Sequence, residues 1–163
     1  MNHSNALSAK QVSLEELQTL TASWKAAGQK VVFTNGCFDL LHAGHIAYLS
    51  EAADLGDKLI IGLNSDQSVQ KIKGPQRPVN NENTRSSLLG AMFFIDAVVT
   101  FNEDTPLELI EAIQPDVLVK GGDYQIETIV GAKETLSRGG EVKVLSFLPG
   151  YSSTAIIDKI KNS

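Results

Sequence analysis

The chain has 163 residues, 42% hydrophobic and 20% charged, with a formal charge of -5, enough for one domain whose core needs neither disulfides nor a structural metal. The acidic balance argues against nonspecific binding to nucleic acid or an anionic membrane, both of which require a positive face. The single cysteine, Cys37, excludes an internal disulfide and a cysteine-rich zinc site; the first residues lack a signal pattern; and Asp96 splits the longest apolar run well short of a bilayer-spanning segment. A cytoplasmic location is expected.

In chain order, residues 1–12 read as a flexible polar tail and 13–163 as the folded domain. Ser13-Leu14-Glu15-Glu16 is a capping box opening a helix in which Leu14, Leu17, Leu20 and Trp24 recur at helical spacing, and Gly28 ends it. A first core strand is expected over 30–34, a helix over 42–55, a second strand over 58–63 and a loop from Asn64 onward that carries Lys73. A helix over 84–95, with Leu88, Leu89, Met92 and Phe93 on its apolar side, leads to a third strand over 97–101. Thr105-Pro106-Leu107-Glu108 reads as a capped helix start, and Pro115 stops that helix before a strand over 116–120. A helix over 127–138 ends at Gly139-Gly140, a strand over 141–147 follows, and a last helix covers 152–161.

Short apolar strands alternating with helices specify an α/β fold: a Rossmann-like, doubly wound, five-stranded parallel sheet with helices on both faces and right-handed crossovers. Ligands of such sheets collect beyond the carboxyl ends of the strands, where the winding reverses. Three loops with unusual chemistry follow strand ends there, over residues 35–45, 120–124 and 149–154, and they are expected to converge. In the first, a glycine-containing turn delivers the chain from a strand into a helix start, where unpaired N–H groups and the positive end of the helix dipole suit phosphate. His42 and His45, three residues apart, project from one side of that first turn. Zinc is disfavoured, because two histidines without a third ligand at suitable spacing leave a metal site incomplete. A dehydrogenase is disfavoured too, since the turn lacks Gly-x-Gly-x-x-Gly.

The segment His42-Ala43-Gly44-His45 resembles the signature of the nucleotidylyltransferase superfamily named for its His-x-Gly-His motif. The likeness continues through Thr34-Asn35-Gly36-Cys37-Phe38-Asp39, Gly62-Leu63-Asn64-Ser65-Asp66, Lys73-Gly74, Arg77-Pro78-Val79-Asn80, Lys120-Gly121-Gly122-Asp123-Tyr124 and Ser152-Ser153-Thr154. That order is similar to the D-glycero-β-D-manno-heptose 1-phosphate adenylyltransferases and covers nearly everything from residue 13 onward. The resemblance implies transfer of AMP from ATP to a heptose 1-phosphate, with pyrophosphate released and an ADP-heptose formed for bacterial surface polysaccharide. Fused relatives carry a sugar kinase ahead of this domain, so kinase activity is expected from elsewhere.

By that resemblance His42, His45 and Lys73 are the catalytic candidates, with Lys71 as an alternate to Lys73. Thr34, Asn35, Gly36, Cys37, Phe38 and Gly44 at the first helix start, and Ser152, Ser153 and Thr154 at the last, are expected to hold the nucleotide. Asp39, Arg77, Arg85, Lys120, Gly121 and Asp123 are the candidates for the acceptor. For Asp39 two readings stand side by side, holding the turn or orienting a substrate group. Arg85, near a helix beginning where its charge opposes the dipole, reads as an acceptor-phosphate ligand or as half of a structural ion pair. Magnesium is expected with ATP, bridging phosphate oxygens, and no protein metal ligand is assigned. The implied partners are small molecules, ATP and a sugar 1-phosphate; pairing into a homodimer is open.

Two alternatives keep their place. One is a cytidylyltransferase or adenylyltransferase acting on another phosphorylated acceptor, such as glycerol 3-phosphate or phosphopantetheine. Related cytidylyltransferases carry an arginine a few residues before the last segment, where this chain has Ser146-Phe147-Leu148-Pro149-Gly150, and this weakens the CTP reading. The other is a nucleotide-sensing module without turnover.

Overall fold

The computed structural model describes residues 2–163. Its centre is a five-stranded, all-parallel sheet made of β1 (Val31–Gly36), β2 (Lys58–Asn64), β3 (Ala97–Phe101), β4 (Val117–Gly121) and β5 (Glu141–Leu145), in the order β3-β2-β1-β4-β5. β1 pairs with β2 from Val31 opposite Lys58 to Gly36 opposite Leu63, and β4 lies on its other side. The winding therefore reverses between β1 and β4. This is the doubly wound arrangement expected, and it places the crevice beyond Gly36 and Gly121.

The inner strands β1, β2 and β4 form because their β-branched and aromatic residues are apolar on both sides, as a sheet covered on two faces requires, whereas edge strand β5 alternates buried Val142 with exposed Glu141 and Lys143. Alternation sends Val31 and Phe33 into one core, with Leu17, Ile60, Ile110 and Leu118. Val32 joins the other, with Leu49, Ile61, Leu89 and Val119. The first core is covered by α2 (Leu14–Ala26), α6 (Leu107–Ile113) and α7 (Ala132–Ser137), and the second by α3 (Ala43–Ala53) and α5 (Glu82–Gly90). Each fully buried Leu or Ile contributes about 1.5–3 kcal/mol. The capping box at the start of α2 is present in full, Glu16 N–H donating to Ser13 and Ser13 N–H to Glu16.

Several expectations need correction. Over residues 2–12, expected within a flexible tail, α1 (His3–Ser8) precedes a parallel bridge between Gln11 and Val98, Val98 N–H donates to Lys10 O at 2.7 Å, and Lys10 Nζ donates to Met92 O at 2.9 Å. The segment thereby covers the otherwise open edge of β3. Met1 lies outside the described residues.

The loop expected after β2 is a helix, α4 (Asp66–Lys73), capped by Ser65. α5 starts two residues early, capped by Asn81, and ends at Gly90; Phe93, expected on its apolar side, is 91% exposed. α6 is not capped by Thr105, since Pro106 occupies the cap position and no side chain accepts there. The helix expected over 127–138 is broken into a 3-10 turn (Ile126–Thr128) and α7. Between them Gly131 adopts φ +83° with Ile110 Cδ1 2.7 Å from where its Cβ would be, so only glycine fits. α8 (Ser153–Lys161) completes the chain as expected. No helix among the described residues is long and apolar enough to cross a membrane.

Candidate active site

A cleft of about 730 Å³ opens beyond the carboxyl ends of β1 and β4. The three loops expected to converge do so there. Asn35 to Asp39, His42 and His45 come from the first, Lys120 to Tyr124 from the second, and Tyr151 to Thr154 from the third. Lys73 and Arg77 add positive charge from the far side.

The first wall is built around the start of α3. His42 is its N-cap, and its Nδ1 accepts from His45 N–H at 3.3 Å. A neutral His42 must then carry its proton on Nε2, as a donor. The His45 ring stacks on it with centroids 3.9 Å apart and planes at 20°, and its Nδ1 is buried without a hydrogen-bond partner. Burial lowers the pKa of His42; burial and the neighbouring His42 lower that of His45 to about 4. Both rings are therefore mainly neutral at pH 7, and a bound polyphosphate would raise both values.

Phe38 turns the chain with φ +45°, a left-handed conformation rare for a bulky residue, and its ring meets the edge of His45 at 5.4 Å. Gly36 makes this possible, because a Cβ there would lie 2.9 Å from the Phe38 ring. The Cys37 thiol is half-buried, and burial raises its pKa despite Lys73, Arg85 and Arg77 nearby. It is thus no thiolate nucleophile.

The third loop meets the cleft at the start of α8. Ser152 caps it, accepting from Ala155 N–H at 3.3 Å, and the Ser153 hydroxyl donates to Leu40 O at 2.7 Å, tying this helix to the loop of the first wall. Lys120, at the end of β4, lies 5.4 Å from the Tyr124 ring centre, and burial lowers its pKa. Lys73, expected on a loop, occupies the last turn of α4, ended by Gly74 at φ +99°. Lys71 instead pairs with Asp104 at 3.5 Å.

Three residues assigned to ligand binding are not at the cleft surface. Thr34 is fully buried, its hydroxyl paired with that of Tyr48 at 2.5 Å. Gly44 faces protein rather than ligand: a Cβ would lie 2.9 Å from Tyr151 Cβ and 3.0 Å from His42 Nδ1. Arg85 is 0% exposed. Its guanidinium donates to Asn80 O at 2.9 Å, Cys37 O at 2.7 Å, Asn64 O at 2.8 Å and Asp66 Oδ1 at 2.8 Å. Arg85 is half of an ion pair with Asp66 and spends its guanidinium on protein acceptors. By holding the Cys37 carbonyl it turns the Phe38 N–H to the opposite side of that planar peptide.

Asp39 likewise holds the turn. Its carboxylate accepts from Arg77 Nε at 2.6 Å, from Val79 N–H at 2.9 Å and from Asn80 N–H at 3.0 Å. Burial opposes its ionisation, but the amides of Asn80 and Val79 together with Arg77 outweigh it and hold the pKa below the usual carboxylate value. Sequence reasoning missed Tyr48, Phe147 and Tyr151 as lining residues. Of these Phe147 packs on Gly121, where a Cβ would lie 2.5 Å from its ring. Their proximity to motif residues was the available signal.

The fold is a doubly wound α/β fold of the nucleotidyltransferase kind, and its switch-point cleft joins paired imidazoles, two helix starts and several cations. The chain matches the cytidylyltransferase-like family over residues 33–159 and belongs to it. It is 61% identical over 132 residues to the bifunctional protein HldE of Marinomonas sp. (strain MWYL1), a match covering 81% of this chain and 28% of that protein. It is 51% identical over 151 residues to HldE of Koribacter versatilis (strain Ellin345), covering 93% and 31%. The chain thus spans about three tenths of the length of these curated relatives.

Among solved structures, the lipopolysaccharide core biosynthesis protein of Thermoplasma volcanium GSS1 aligns with a TM-score of 0.59 and 28% identity, covering 74% of this chain and 98% of that one. Pantoate-beta-alanine ligase of Francisella tularensis aligns with a TM-score of 0.62 and 15% identity, covering 94% and 78%. This second likeness shows the shared fold alone.

Proposed function

We propose that the chain transfers AMP from ATP to D-glycero-β-D-manno-heptose 1-phosphate or a close sugar 1-phosphate, releasing pyrophosphate and forming an ADP-heptose. The observation that carries this reading is the convergence of two helix starts, at His42 and at Ser152, on one cleft that also holds Lys73, Arg77 and Lys120. High identity to the HldE proteins over this domain supports the heptose branch.

The reaction asks little covalent chemistry of the protein. An ionised sugar phosphate is already a nucleophile, so its oxygen attacks the α-phosphorus directly. The bond to the bridging oxygen breaks in line, and pyrophosphate leaves with the electron pair. Catalysis is then alignment plus stabilisation of the charge that develops on phosphate oxygens. His42, with Nδ1 occupied, offers Nε2–H to those oxygens; His45, with an unspent Nδ1, takes up a proton as phosphate binds. The amides at the starts of α3 and α8 face the rest of the triphosphate, and Lys73 neutralises the leaving group.

Magnesium enters with ATP as part of the substrate. Among the described residues no group of three or more His, Cys, Asp or Glu is placed to hold a metal ion, and Asp39 is spent on protein donors. Asp123 is the carboxylate at the cleft left to meet a metal-bound water. The same reading makes the protein a cytoplasmic enzyme, and mass measurement in solution decides whether it pairs.

The test is a matrix of nucleoside triphosphates against phosphorylated acceptors, read by pyrophosphate release. ATP with the heptose 1-phosphate should give the highest turnover. Preference for CTP, or for glycerol 3-phosphate or phosphopantetheine, would move the chain to another branch, and tight ATP binding without turnover on any acceptor would make it a binding module.

A further inference from the structure

Tyr151 stands one residue ahead of the α8 cap, and its ring lies over His42 with centroids 5.9 Å apart and planes at 25°. His42 stacks on His45 at 3.9 Å, and His45 meets the edge of Phe38 at 5.4 Å. Four rings thus form a column across the cleft, from the entry of α8 to the glycine turn after β1. Such offset and edge contacts fix ring orientation within the usual range of aromatic pairs.

The column matters because little else orients the imidazoles. A histidine's working nitrogen is ordinarily aimed by a hydrogen bond at the other one. Here His45 Nδ1 has no partner, and His42 Nδ1 receives only the 3.3 Å amide of His45. Gly44 carries a second, independent sign of the same constraint. The space a Cβ would need is filled by Tyr151 Cβ at 2.9 Å and His42 Nδ1 at 3.0 Å. The glycine between the histidines therefore admits Tyr151, and with it the close approach of α8 to α3.

We propose that Tyr151 is a positioning residue for nucleotidyl transfer: its ring clamps His42 against His45 and so aims both imidazoles at the reacting phosphorus. The proposal rests on the transferase reading above. It acts through the histidines, so its loss should fall on the chemical step rather than on ATP capture, which the helix starts and cations provide.

The experiment compares Tyr151→Leu and Tyr151→Phe for kcat and KM, together with nuclear Overhauser contacts between the Tyr151 and His42 ring protons in the unaltered protein. Tyr151→Leu should lower kcat about ten-fold while KM for ATP changes less than about three-fold, and Tyr151→Phe, which keeps the ring, should recover kcat to within about two-fold. The ring contact should be present and should persist when Mg·ATP is added. Wild-type kcat in Tyr151→Leu, equal damage in Tyr151→Phe, or absence of the ring contact would each overturn the proposal. If Tyr151→Leu does not fold, Tyr151→Phe and the ring contact still decide. An unaltered protein that binds ATP but turns over no acceptor would strike the transferase reading instead, and the presence or absence of the ring contact would still decide whether the clamp exists.

Discussion

The cleft face and the brace behind it use similar residues in opposite ways. On the face, His45 keeps a buried nitrogen without a partner, and two helix starts face the same space. In the brace, Arg85 donates to three carbonyls and Asp66, and Asp39 accepts from Arg77 and two amides. A charge that has spent its hydrogen bonds on the protein supports the fold; one that has not is available to a ligand. Arg85 and Lys73 look alike as cations in a motif, yet only Lys73 lines the cleft.

This contrast predicts activity loss without unfolding on one side and unfolding on the other. The largest effect is expected from replacing His42 and His45 together by alanine. Turnover should fall by more than about 10³, extrapolating from the loss of single charge-stabilising donors, while the thermal midpoint stays within a few degrees. A parallel collapse of stability would erase the distinction.

Next comes Arg85→Met, which leaves Asp66 and three carbonyls without their buried donor. Asp66 is partly exposed, so the cost falls mainly on the carbonyls left without a donor, about 1–3 kcal/mol for each that is buried, readable as a lower denaturant midpoint. A normal midpoint with a raised KM for the sugar phosphate would return Arg85 to ligand binding.

Asp39→Asn should destabilise less, by about 1–3 kcal/mol, the cost of leaving buried donors poorly matched. Its pH dependence has a definite sign. The folded-state pKa of Asp39 is depressed, so its contribution is present above the unfolded value and is lost as pH falls through the folded one. The stability gap between wild type and Asp39→Asn should therefore close in acid; a gap unchanged down to the lowest pH at which both fold would contradict the assignment.

The smallest effect concerns protons. Burial and the neighbouring His42 lower the pKa of His45 to about 4, so it is neutral at pH 6, and a bound triphosphate is expected to raise that value. Calorimetry in buffers of different ionisation enthalpy should show proton uptake on ATP binding at pH 6, with affinity declining as pH rises through the bound-state value. No uptake would place the phosphates elsewhere. His45→Gln should abolish most of it.

How far these features could be read from the chain alone follows from how local their causes are. The strands were legible because runs such as Val31-Val32-Phe33 and Leu59-Ile60-Ile61 carry their own burial signal, and the α2 capping box closes within four residues. The turn from β1 into α3 was legible because glycine, histidine and strand end lie within ten residues. α4 was not: Asp66–Lys73 is polar apart from Val69 and Ile72, and of these only Val69 is buried, so its periodicity is faint even though the Ser65 cap was visible. Arg85 escaped because its acceptors come from Cys37, Asn64, Asp66 and Asn80, which only the folded chain assembles. Tyr151 was missed for the same reason, since its contact with His42 spans more than a hundred residues. The N-terminal segment is held by β3, and nothing within residues 2–12 announces that edge.

The most direct test maps amide shifts while Mg·ATP is titrated into the labelled protein. The account predicts that the largest changes fall on Phe38, His45, Ser153 and Thr154, at the two helix starts, with residues 138–141 at the opposite end of the sheet unmoved. Shifts concentrated at that opposite end, or changes at one helix start without the other, would contradict it.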